Sequence, residues 1–326
     1  MNGLLSKFEG ALLGACIGDA LGMPLEGMSI DEIKSKYGKV TEFLDGRLPK
    51  GSYTDDTEMM IAVAEAILEK GLDINHIAMK LAKSHNFERG YGPGTLYILR
   101  SILRGKSWSE ISPKLFGSGS FGNGCIVRST PIILLLHKYA SLLDTVLENT
   151  CKITHAHKFA IEGVKIFAKA LTLALGGKRD GKEYIEAISN ICQSKVFSEK
   201  FKMIGKMLGE EYSEKDVVKL LGNGVEVYNS LPIAIYAFLK FIDSFRESVI
   251  YAVNLGGDSD SIGAITGCLS GALHGSENIP EKWRYGVEAY DKLIKLANEL
   301  YELHRIVDDM YWRFISKTRE KFVGIA

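Results

Sequence analysis

Hydrophobic and polar residues follow one another along most of this chain with the spacing of amphipathic α-helices, in which apolar positions recur every three or four residues. Alternation with the two-residue period of a β-strand never extends beyond a few residues. The Asn-Gly pairs at 123–124 and 223–224 lie beside helical patterns. No repeat of fixed period and no low-complexity linker divides the sequence. The pattern therefore predicts one all-α domain that spans residues 1–326.

The predicted helices cover residues 8–21, 30–37, 57–70, 75–84, 96–104, 130–142, 143–155, 156–175, 182–204, 214–221, 229–241, 245–253 and 283–301, and a last one runs from residue 303 towards residue 319. Segments 40–50, 89–95 and 114–126 are rich in loop-forming residues and are predicted to connect them. Thr54 is in the position of an N-cap for the third helix. A further buried helix is expected to begin near Ser261, after a tight turn at the glycine pair 256–257.

Two apolar segments carry glycine at every fourth position: Gly10, Gly14, Gly18 and Gly22 in the first, and Gly263, Gly267 and Gly271 in the second. Residues four apart share one face of a helix. Glycine inside a helix costs about 1 kcal/mol relative to alanine, so such a face suggests close packing against another backbone. A membrane dimerisation motif has the same spacing, but the first run is short and Asp19 interrupts it. We therefore expect two central helices that cross at their glycine faces.

Two predicted helix starts each carry two carboxylates and a hydroxyl: Thr54, Asp55 and Asp56 in one, and Asp258, Asp260 and Ser261 in the other. Helix capping is the simpler interpretation of each set alone. If the sets converge, four carboxylates would repel one another strongly unless cations neutralise them. Oxygen ligands without histidine or cysteine favour Mg²⁺, Mn²⁺ or Ca²⁺ over zinc. The pattern is sufficient for two ions, with Asp260 placed to bridge them.

The segment 114–126, KLFGSGSFGNGCI, contains the densest group of glycines in the chain and is not expected to form regular structure. One interpretation is a flexible loop. The other is a nest of backbone N–H groups that holds a phosphate. The composition alone leaves both open.

Composition and charge exclude several classes of protein. The 40 basic and 40 acidic residues give a net charge of +0, without the basic excess of a nucleic-acid binder. The five cysteines form no CxxC pair, so they indicate neither a zinc site nor a disulfide framework and suit buried thiols in a reducing cytosol. The N-terminus lacks the pattern of a signal peptide, and no uninterrupted apolar stretch is long enough to span a membrane. We expect a cytoplasmic protein, with a monomer as the expected state.

Five motifs occur in a fixed order: GALLGACIGDALGMPLEG near the N-terminus, then TDDTEM, GNGCIVRSTPI, THAH and LGGDSDSIGAITGCLSGALHG. In this order they resemble the ADP-ribosylglycohydrolase family, which includes the dinitrogenase reductase-activating glycohydrolases. The resemblance extends from about residue 8 to residue 275. The paired TDDT and GGDxD motifs are its specific part, whereas the glycine-rich loop alone would not identify the family.

The resemblance implies an all-helical fold with a binuclear Mg²⁺ or Mn²⁺ centre. By position, the residues that match the metal ligands of the family are Thr54, Asp55, Asp56, Asp258, Asp260 and Ser261. Those that match its ADP-ribose-binding residues are Gly119, Ser120, Phe121, Gly122, Asn123, Gly124 and His155. Glu26 matches an acidic residue near the metals. Ser261 stands where threonine is more usual, which keeps the hydroxyl.

The implied reaction is hydrolysis of the bond between ribose C1″ of ADP-ribose and an acceptor, on an ADP-ribosylated protein or a small conjugate. Water would attack an oxocarbenium-like C1″, with the metals holding the ribose hydroxyls and the water. Glu26 is the first candidate for the acid/base, although a solvated loop carboxylate is the simpler interpretation, and Asp56 is the second. His155 is expected to bind rather than to catalyse. A metal-dependent phosphohydrolase and a non-catalytic ADP-ribose-binding protein remain alternatives, and the acceptor (arginine, serine, a base or an O-acetyl ester) stays open.

Overall fold

The structure is a computed structural model that describes the backbone of residues 3–323 and the side chains up to Tyr311. Within this part of the chain it contains seventeen α-helices and short 3₁₀ turns. The described residues form no β-strand, and their single β-bridge pairs Gly122 with Glu226 in antiparallel orientation. The prediction of an all-α fold is confirmed.

The helices, numbered in chain order, are α1 (Gly3–Gly22), α2 (Ile30–Tyr37), α3 (Asp55–Lys70), α4 (Ile74–Ser84), α5 (Pro93–Leu103), α6 (Trp108–Ile111), α7 (Thr130–Leu136), α8 (Ala140–Cys151), α9 (Lys158–Leu175), α10 (Gly181–Ser189), α11 (Lys195–Met207), α12 (Glu214–Leu221), α13 (Val227–Lys240), α14 (Phe245–Val253), α15 (Ser259–His274), α16 (Glu281–Arg284) and α17 (Tyr290–Val323). The predicted loop at 40–50 is free of helix, as expected. Segment 114–126 contains 3₁₀ turns and otherwise irregular backbone.

Helices α1 and α15 run antiparallel at the centre of the molecule, with their glycine faces in direct contact. A Cβ atom added to any of these glycines would collide with the backbone of the opposite helix, in the pairs Gly10 with Gly271, Gly14 with Gly267, Gly18 with Gly263 and Gly22 with Ser259. The expected crossing is therefore present. Because the last pair joins the end of α1 to the start of α15, residues that follow α1 come close to Asp258 and Asp260.

Most residues of both central helices are buried, and other helices surround them. α13 and α14 pack on α15, and α17 packs on α1. The segment Gly3–Leu25 is long and apolar enough to cross a membrane by those two criteria, but 94% of its most apolar window is buried inside the molecule. That burial is the behaviour of a core helix, and the buried hydrophobic residues form one cluster around it.

The prediction of a single helix over residues 182–204 was wrong, because the structure divides this segment into α10 and α11. The carboxylate of Glu162 accepts hydrogen bonds from the backbone N–H groups of Gln193 (2.7 Å) and Ser194 (2.9 Å). The Ser194 side chain also accepts from the N–H of Phe197 and so caps the start of α11. These contacts satisfy backbone groups at a break that the hydrophobic period alone did not reveal.

The boundaries of several other predicted helices also differ from the structure. The region predicted as two helices, 283–301 and 303 onward, is instead the short α16 followed by the single long helix α17. A turn at Gly286, whose N–H bonds to the carbonyl of Trp283, separates the two. The three helices predicted between residues 130 and 175 are present, but α7 already ends at Leu136 and α9 begins at Lys158. Element ends are decided by such local hydrogen bonds rather than by periodicity.

The contact between α1 and α15 predicts a large effect for Gly14→Ala. The new methyl group would collide with the carbonyl of Gly267, so the helices must move apart. We expect a loss of about 1–3 kcal/mol in the free energy of unfolding, the usual range for overpacking. Urea denaturation measures it. Gly3→Ala is the matched control in the same helix, since nothing lies within 4 Å of its added Cβ, and it should be neutral or slightly stabilising. Equal stability of the two variants would contradict the close contact.

Candidate active site

One cleft of about 290 Å³ collects most of the predicted site residues. Its acidic floor comes from the starts of α3 and α15 together with the loop after α1, and its opposite wall comes from the glycine-rich loop. The predicted site residues that line it are Glu26, Asp55, Asp56, Ser120, Gly122, Asn123, Gly124, His155, Asp258, Asp260 and Ser261. A larger groove, of about 890 Å³, lies beside α10 and α11, and none of the predicted site residues lines it.

The turn before α15 depends on two glycines with positive φ angles, Gly256 (67°) and Gly257 (69°). A side chain on Gly256 would strike the carbonyl of Met28, and one on Gly257 would strike the carbonyl of Asn223. The N–H of Gly257 donates to Met28 O and the N–H of Asp258 donates to Asn223 O, both at 2.8 Å. The glycine pair therefore lets the backbone approach two other loops, which holds Asp258 at the start of the helix.

The start of α3 is held by Asp19, a fully buried carboxylate in α1. It accepts hydrogen bonds from the N–H of Thr54 (3.0 Å), the N–H of Thr57 (3.2 Å) and the hydroxyl of Thr57 (2.6 Å). Asp19 thereby does what a capping side chain would otherwise do, although it lies far away in the sequence. The sequence analysis noted Asp19 only as an interruption of an apolar run, so this positioning residue was missed.

Helix capping does not explain the two acidic sets. The side chain of Thr54 makes no capping hydrogen bond to α3, and that of Asp258 makes none to α15. Thr54 is fully buried, and within the described part of the chain its Oγ1 atom has no hydrogen-bond partner. The Thr54 side chain nevertheless lies close enough to Asp19 to lower the pKa of that carboxyl group, so Asp19 is its polar neighbour although the two do not meet hydrogen-bond geometry.

The carboxylates approach one another closely. One carboxylate oxygen each from Glu26, Asp258 and Asp260 lie within 4.8 Å of one another. Among the described residues, no other three histidine, cysteine or acidic side chains bring potential metal ligands so close together. Asp56 accepts a hydrogen bond of 2.6 Å from the hydroxyl of Ser261, which joins the starts of α3 and α15. Asp55 lies at the same cleft and is partly exposed. The acidic sets predicted to converge therefore do converge.

Burial and mutual repulsion raise the pKa values of these carboxyl groups. Burial, followed by the charge of Asp19, raises the pKa of Asp55 to about 8. Burial raises the pKa of Asp258 to about 6 against a hydrogen bond from Asn123 that lowers it. The pKa values of Asp56 and Asp260 lie well above their usual range, first through burial and then through the neighbouring aspartates. Without a compensating positive charge, the cluster would retain protons at neutral pH.

The side chain of Arg47 supplies one positive charge at the mouth of the cluster. It forms a close ion pair with Glu26, and its Nη2 atom lies 3.5 Å from Oδ2 of Asp260. The same guanidinium donates to the carbonyl of Arg89 at 3.2 Å. Arg47 belongs to the predicted loop 40–50, and no local pattern indicates this role, since the pairing joins residues that are far apart in the chain.

The glycine-rich loop is held in place by the segment before α13. The N–H of Asn123 donates to Val225 O at 3.1 Å, and the N–H of Val227 donates to Phe121 O at 3.0 Å. The amide of Asn123 donates to the carboxylate of Asp258, which ties the loop to the acidic floor. The interpretation as a freely flexible loop does not describe this arrangement. Val225, which also lines the cleft, was missed.

Not every predicted loop residue faces the cleft. Gly119 packs against the backbone of Ala156 and His157, and its φ of 88° suits glycine. The Phe121 ring stacks on Tyr228, with ring centroids 6.0 Å apart, and is 38% exposed. Neither residue lines the cleft, so any role that they have in binding is indirect or lies at its edge.

His155 lies behind the glycines as a neutral ring. It is buried, and its Nδ1 atom lies 2.7 Å from the hydroxyl of Thr154. Burial, with a smaller effect from Arg128, lowers the pKa of His155 to about 3. A Cβ added to Gly124 would approach the imidazole to 3.1 Å, so the absence of a side chain there lets the ring reach the cleft. A ring that is neutral at physiological pH fits a binding residue rather than a general acid.

The donor set fits hard divalent cations. The cleft floor offers carboxylate and hydroxyl oxygens, the ligands that Mg²⁺ and Mn²⁺ prefer. The raised carboxyl pKa values indicate that the site lacks compensating positive charge. The acidic cluster could therefore bind a metal ion.

Comparisons with known proteins agree with this geometry. The sequence matches the family model for ADP-ribosylglycohydrolase over residues 1–309. An uncharacterized protein of Archaeoglobus fulgidus is 35% identical over 314 residues, which cover 92% of this chain and 98% of that protein. The ADP-ribosylhydrolase ARH3 of Bos taurus is 29% identical over 343 residues, which cover 92% of this chain and 93% of ARH3. A solved structure of an ADP-ribosylglycohydrolase-related protein complex has a TM-score of 0.77 at 26% identity and covers 93% of this chain and 100% of that one.

The fold and the site thus define a glycosidic-bond hydrolase of the all-helical type. The chain belongs to the ADP-ribosylglycohydrolase family, as the match over residues 1–309 shows. The resemblance found in the sequence and the expectation of an enzyme are both confirmed. The roles assigned to individual site residues stay predictions.

The raised carboxyl pKa values predict how stability depends on pH. A group whose pKa is higher in the folded than in the unfolded protein loses its stabilising effect as pH rises. Between the ordinary histidine pKa of about 6.5 and the pKa of about 8 of Asp55, unfolded histidines lose their remaining protons and affect the pH dependence of stability progressively less. Over that range, unfolding of the chelated protein should cost roughly 1.4 kcal/mol less per pH unit for each carboxyl group that stays protonated only when folded.

Saturating Mg²⁺ should raise the melting temperature and flatten this dependence, because bound cations replace the protons. Thermal melting with EDTA or Mg²⁺ at several pH values measures both effects. The variant Asp258→Asn/Asp260→Asn is the control and should respond less to pH and to Mg²⁺. A melting temperature that stays constant across pH and Mg²⁺ would contradict a cluster of this kind.

The position of Arg47 predicts that it competes with metal cations. Arg47→Met removes the ion pair with Glu26 and the interaction with Asp260 and leaves the apolar stem. Because a charged hydrogen bond contributes about 1.5–3 kcal/mol, we expect Mg²⁺ to bind about tenfold more tightly. Isothermal titration calorimetry measures the Kd. Lys50→Met, in the same loop, is the control and should change the Kd little. Weaker Mg²⁺ binding by Arg47→Met would contradict the competition.

Proposed function

We propose that this protein is a divalent-metal-dependent hydrolase that cleaves the N- or O-glycosidic bond between ADP-ribose and an acceptor and releases ADP-ribose. The observation that carries the proposal is the floor of the cleft. There, carboxylates from the starts of α3 and α15 meet at one cleft: Ser261 donates a hydrogen bond to Asp56, and oxygens of Asp258 and Asp260 lie close to Glu26. The family supports hydrolysis of an ADP-ribosyl bond, while the metal dependence and the substrate are our proposals.

Two Mg²⁺ or Mn²⁺ ions are the proposed cofactors. The residues that would hold them are Thr54, Asp55, Asp56, Asp258, Asp260 and Ser261. When bound, such ions supply positive charge that polarises the reacting sugar and favours the deprotonation of water. Asp260 is proposed to serve both ions, because it lies between the other acidic residues and already contributes to the close group with Glu26 and Asp258.

Glu26 is the proposed general acid/base. It lies at the mouth of the cluster with its side chain 36% exposed, so substrate and water can reach it. The ion pair with Arg47 orients its carboxylate towards Asp258 and Asp260. A general base must lie within hydrogen-bond reach of the water that it activates. Asp56 remains the second candidate, but it is 4% exposed and accepts the Ser261 hydroxyl, which favours a role as a ligand.

The wall of the cleft is proposed to bind the ADP-ribose. Backbone N–H groups in irregular loops can hold phosphate oxygens, and Ser120, Gly122 and Gly124 line the cleft opposite the acidic floor. His155 closes the back of this wall as a neutral ring. An ADP-ribosylated protein or a small ADP-ribose conjugate would then place its C1″ atom towards Glu26. The open mouth of the cleft leaves room for the acceptor outside.

The test is hydrolysis of a panel of ADP-ribosyl conjugates with arginine, serine, a nucleic-acid base and an O-acetyl ester as acceptors. Wild type with Mg²⁺ or Mn²⁺ should release free ADP-ribose from at least one conjugate, and EDTA should abolish the release. Glu26→Gln should lower the rate by about 10²–10⁴-fold, the range for loss of a general acid/base. Asp260→Asn should lower metal affinity and rate together, by at least about 100-fold in rate.

Glu42→Gln is the matched control, because Glu42 forms an exposed ion pair with Lys282 away from the cleft residues. It should keep the wild-type rate, and circular dichroism should show all variants folded. A folded Asp260→Asn protein with near wild-type turnover would exclude the bridging role. Release of inorganic phosphate in place of ADP-ribose would instead indicate a phosphohydrolase, and tight binding of an intact conjugate would indicate a binding protein.

A further inference from the structure

Two buried cysteines face each other behind the wall of the cleft. Cys125 lies near the end of the glycine-rich loop, Cys151 ends α8, and neither side chain is exposed. Their Sγ atoms lie 2.9 Å apart, with the Cys151 thiol donating to the Cys125 sulfur. This separation is less than about 1 Å longer than a disulfide S–S bond. No pairing of Cys125 with Cys151 follows from the sequence, because the two are 26 positions apart and form no recognisable motif.

A buried guanidinium accompanies the two sulfurs. Arg128 is 1% exposed, and its donors go to neutral oxygens: Thr154 Oγ1 (2.7 Å), Thr150 O (3.0 Å) and Cys151 O (3.4 Å). The guanidinium lies close enough to both sulfurs that a thiolate at Cys125 or Cys151 would raise the pKa of Arg128. A buried cation is stabilised by a nearby anion, and a Cys125 thiolate would provide one.

If the pair loses one proton, the remaining proton stays on Cys151, because the pKa values of the two thiols shift in opposite directions. Burial alone raises the pKa of the Cys125 thiol, but the hydrogen bond from Cys151 and the charge of Arg128 outweigh burial and lower that pKa below its usual range. Burial and the neighbouring sulfur raise the pKa of Cys151 well above its usual range. The pair therefore combines a nucleophilic sulfur with a second thiol in contact, the arrangement of an oxidisable dithiol.

We propose that Cys125 and Cys151 are a modification site, at which a hydroperoxide converts the two thiols into a disulfide that alters the wall of the substrate cleft. The observations that carry the proposal are the contact between the sulfurs, the adjacent buried guanidinium of Arg128 and the position behind Gly124 and His155.

The chemistry balances with a hydroperoxide as the oxidant. The Cys125 thiolate attacks the distal oxygen, the O–O bond breaks, and the departing alkoxide takes up a proton to leave as an alcohol, or as water from hydrogen peroxide. The sulfenic acid on Cys125 is then attacked by the Cys151 sulfur. The S–O bond breaks, the hydroxide that leaves takes the Cys151 proton as water, and the S–S bond forms. Two thiols are oxidised, and one hydroperoxide is reduced.

The position of the pair connects it to the cleft. Cys125 directly follows Gly124, which lines the cleft, and the Cys125 side chain itself is fully buried behind it. The carbonyl of Cys151 accepts the N–H of His155 at 2.9 Å, and its sulfur lies 3.3 Å from the carbonyl of His155. A disulfide would therefore tie the loop that carries Asn123 and Gly124 to the turn that carries His155.

The other three cysteines lack this arrangement. Cys268 contacts the hydroxyl of Thr130, and Cys16 is buried near Asp19, whose charge raises its pKa further after burial. Cys192 is partly exposed, and burial raises its pKa to about 11. Cys192 is therefore the suitable control, because it is more accessible than the pair but has no neighbouring thiol among its described contacts.

The experiment treats the reduced full-length protein with hydrogen peroxide, blocks the remaining thiols, and maps the cross-linked peptides by mass spectrometry without reduction. We expect one cross-link, Cys125 to Cys151, reversible by dithiothreitol and present at peroxide doses that leave thermal unfolding cooperative. Cys192→Ser should form it equally well, and Cys125→Ser and Cys151→Ser should not. The same treatment in urea should give mixed pairings, which shows that the folded structure selects this pair.

The effect on the cleft rests on the proposed function and is measured separately. Stoichiometric oxidation should raise the KM for the hydrolysed conjugate several-fold, and dithiothreitol should restore it. An unchanged KM in fully cross-linked protein would overturn the effect on the cleft, and a protein without hydrolytic activity would overturn the proposed function while the cross-link still tests the site. If folded wild type oxidises at Cys192 while Cys125 and Cys151 stay reduced, the proposal is wrong.

Discussion

The backbone contact between α1 and α15 is the constraint on which the rest of the structure depends. Glycine at every fourth position removes the side chains that would separate the two helices, and each glycine then meets a carbonyl of the opposite helix. Close approach of this kind improves packing but tolerates no added atoms. The contact continues to Gly22 and Ser259, so the end of one helix and the start of the other are held together. Both ends carry aspartates that build the site, since Asp19 precedes Gly22 and Asp260 follows Ser259. The fold and the acidic floor are therefore products of the same interaction.

Bringing so many carboxylates into one buried cluster is unfavourable by itself, and the protein shows several partial compensations. Asp56 accepts a hydroxyl hydrogen bond from Ser261, Asp258 accepts an amide, and Arg47 supplies one positive charge near Asp260. The raised pKa values show that these contacts leave repulsion in place. Carboxyl groups whose pKa values are perturbed in this way occur often at functional sites. The same arrangement makes stability, protonation and cation binding depend on one another.

The parts that the sequence predicted were those with local signals. The glycine faces of α1 and α15 follow from spacing, and the acidic sets at Thr54 and Asp258 follow from residue types at helix starts. The parts that it missed rest on contacts between distant positions. Asp19 holds the start of α3 across 35 residues, and Asn123 reaches Asp258 across 135. Arg47 lies in a loop without a recognisable pattern. The break between α10 and α11 depends on Glu162, another residue that no local window contains. Periodicity describes which face is apolar, but it does not describe which side chain ends a helix.

The four-residue spacing of the glycines also limits how α1 and α15 can slide along each other. A shift of one or two residues would place larger side chains against a backbone that has no room for them. A shift of four residues would bring glycines opposite glycines again, but it would displace the helices by about 6 Å, given a rise of about 1.5 Å per residue. That displacement would separate Glu26 from Asp258 and Asp260, whose oxygens now lie within 4.8 Å of one another. The glycine spacing therefore leaves one alignment of α1 and α15 in which the acidic groups meet. Shifts of one or two residues are excluded by steric clashes, and a shift of four residues separates the acidic groups.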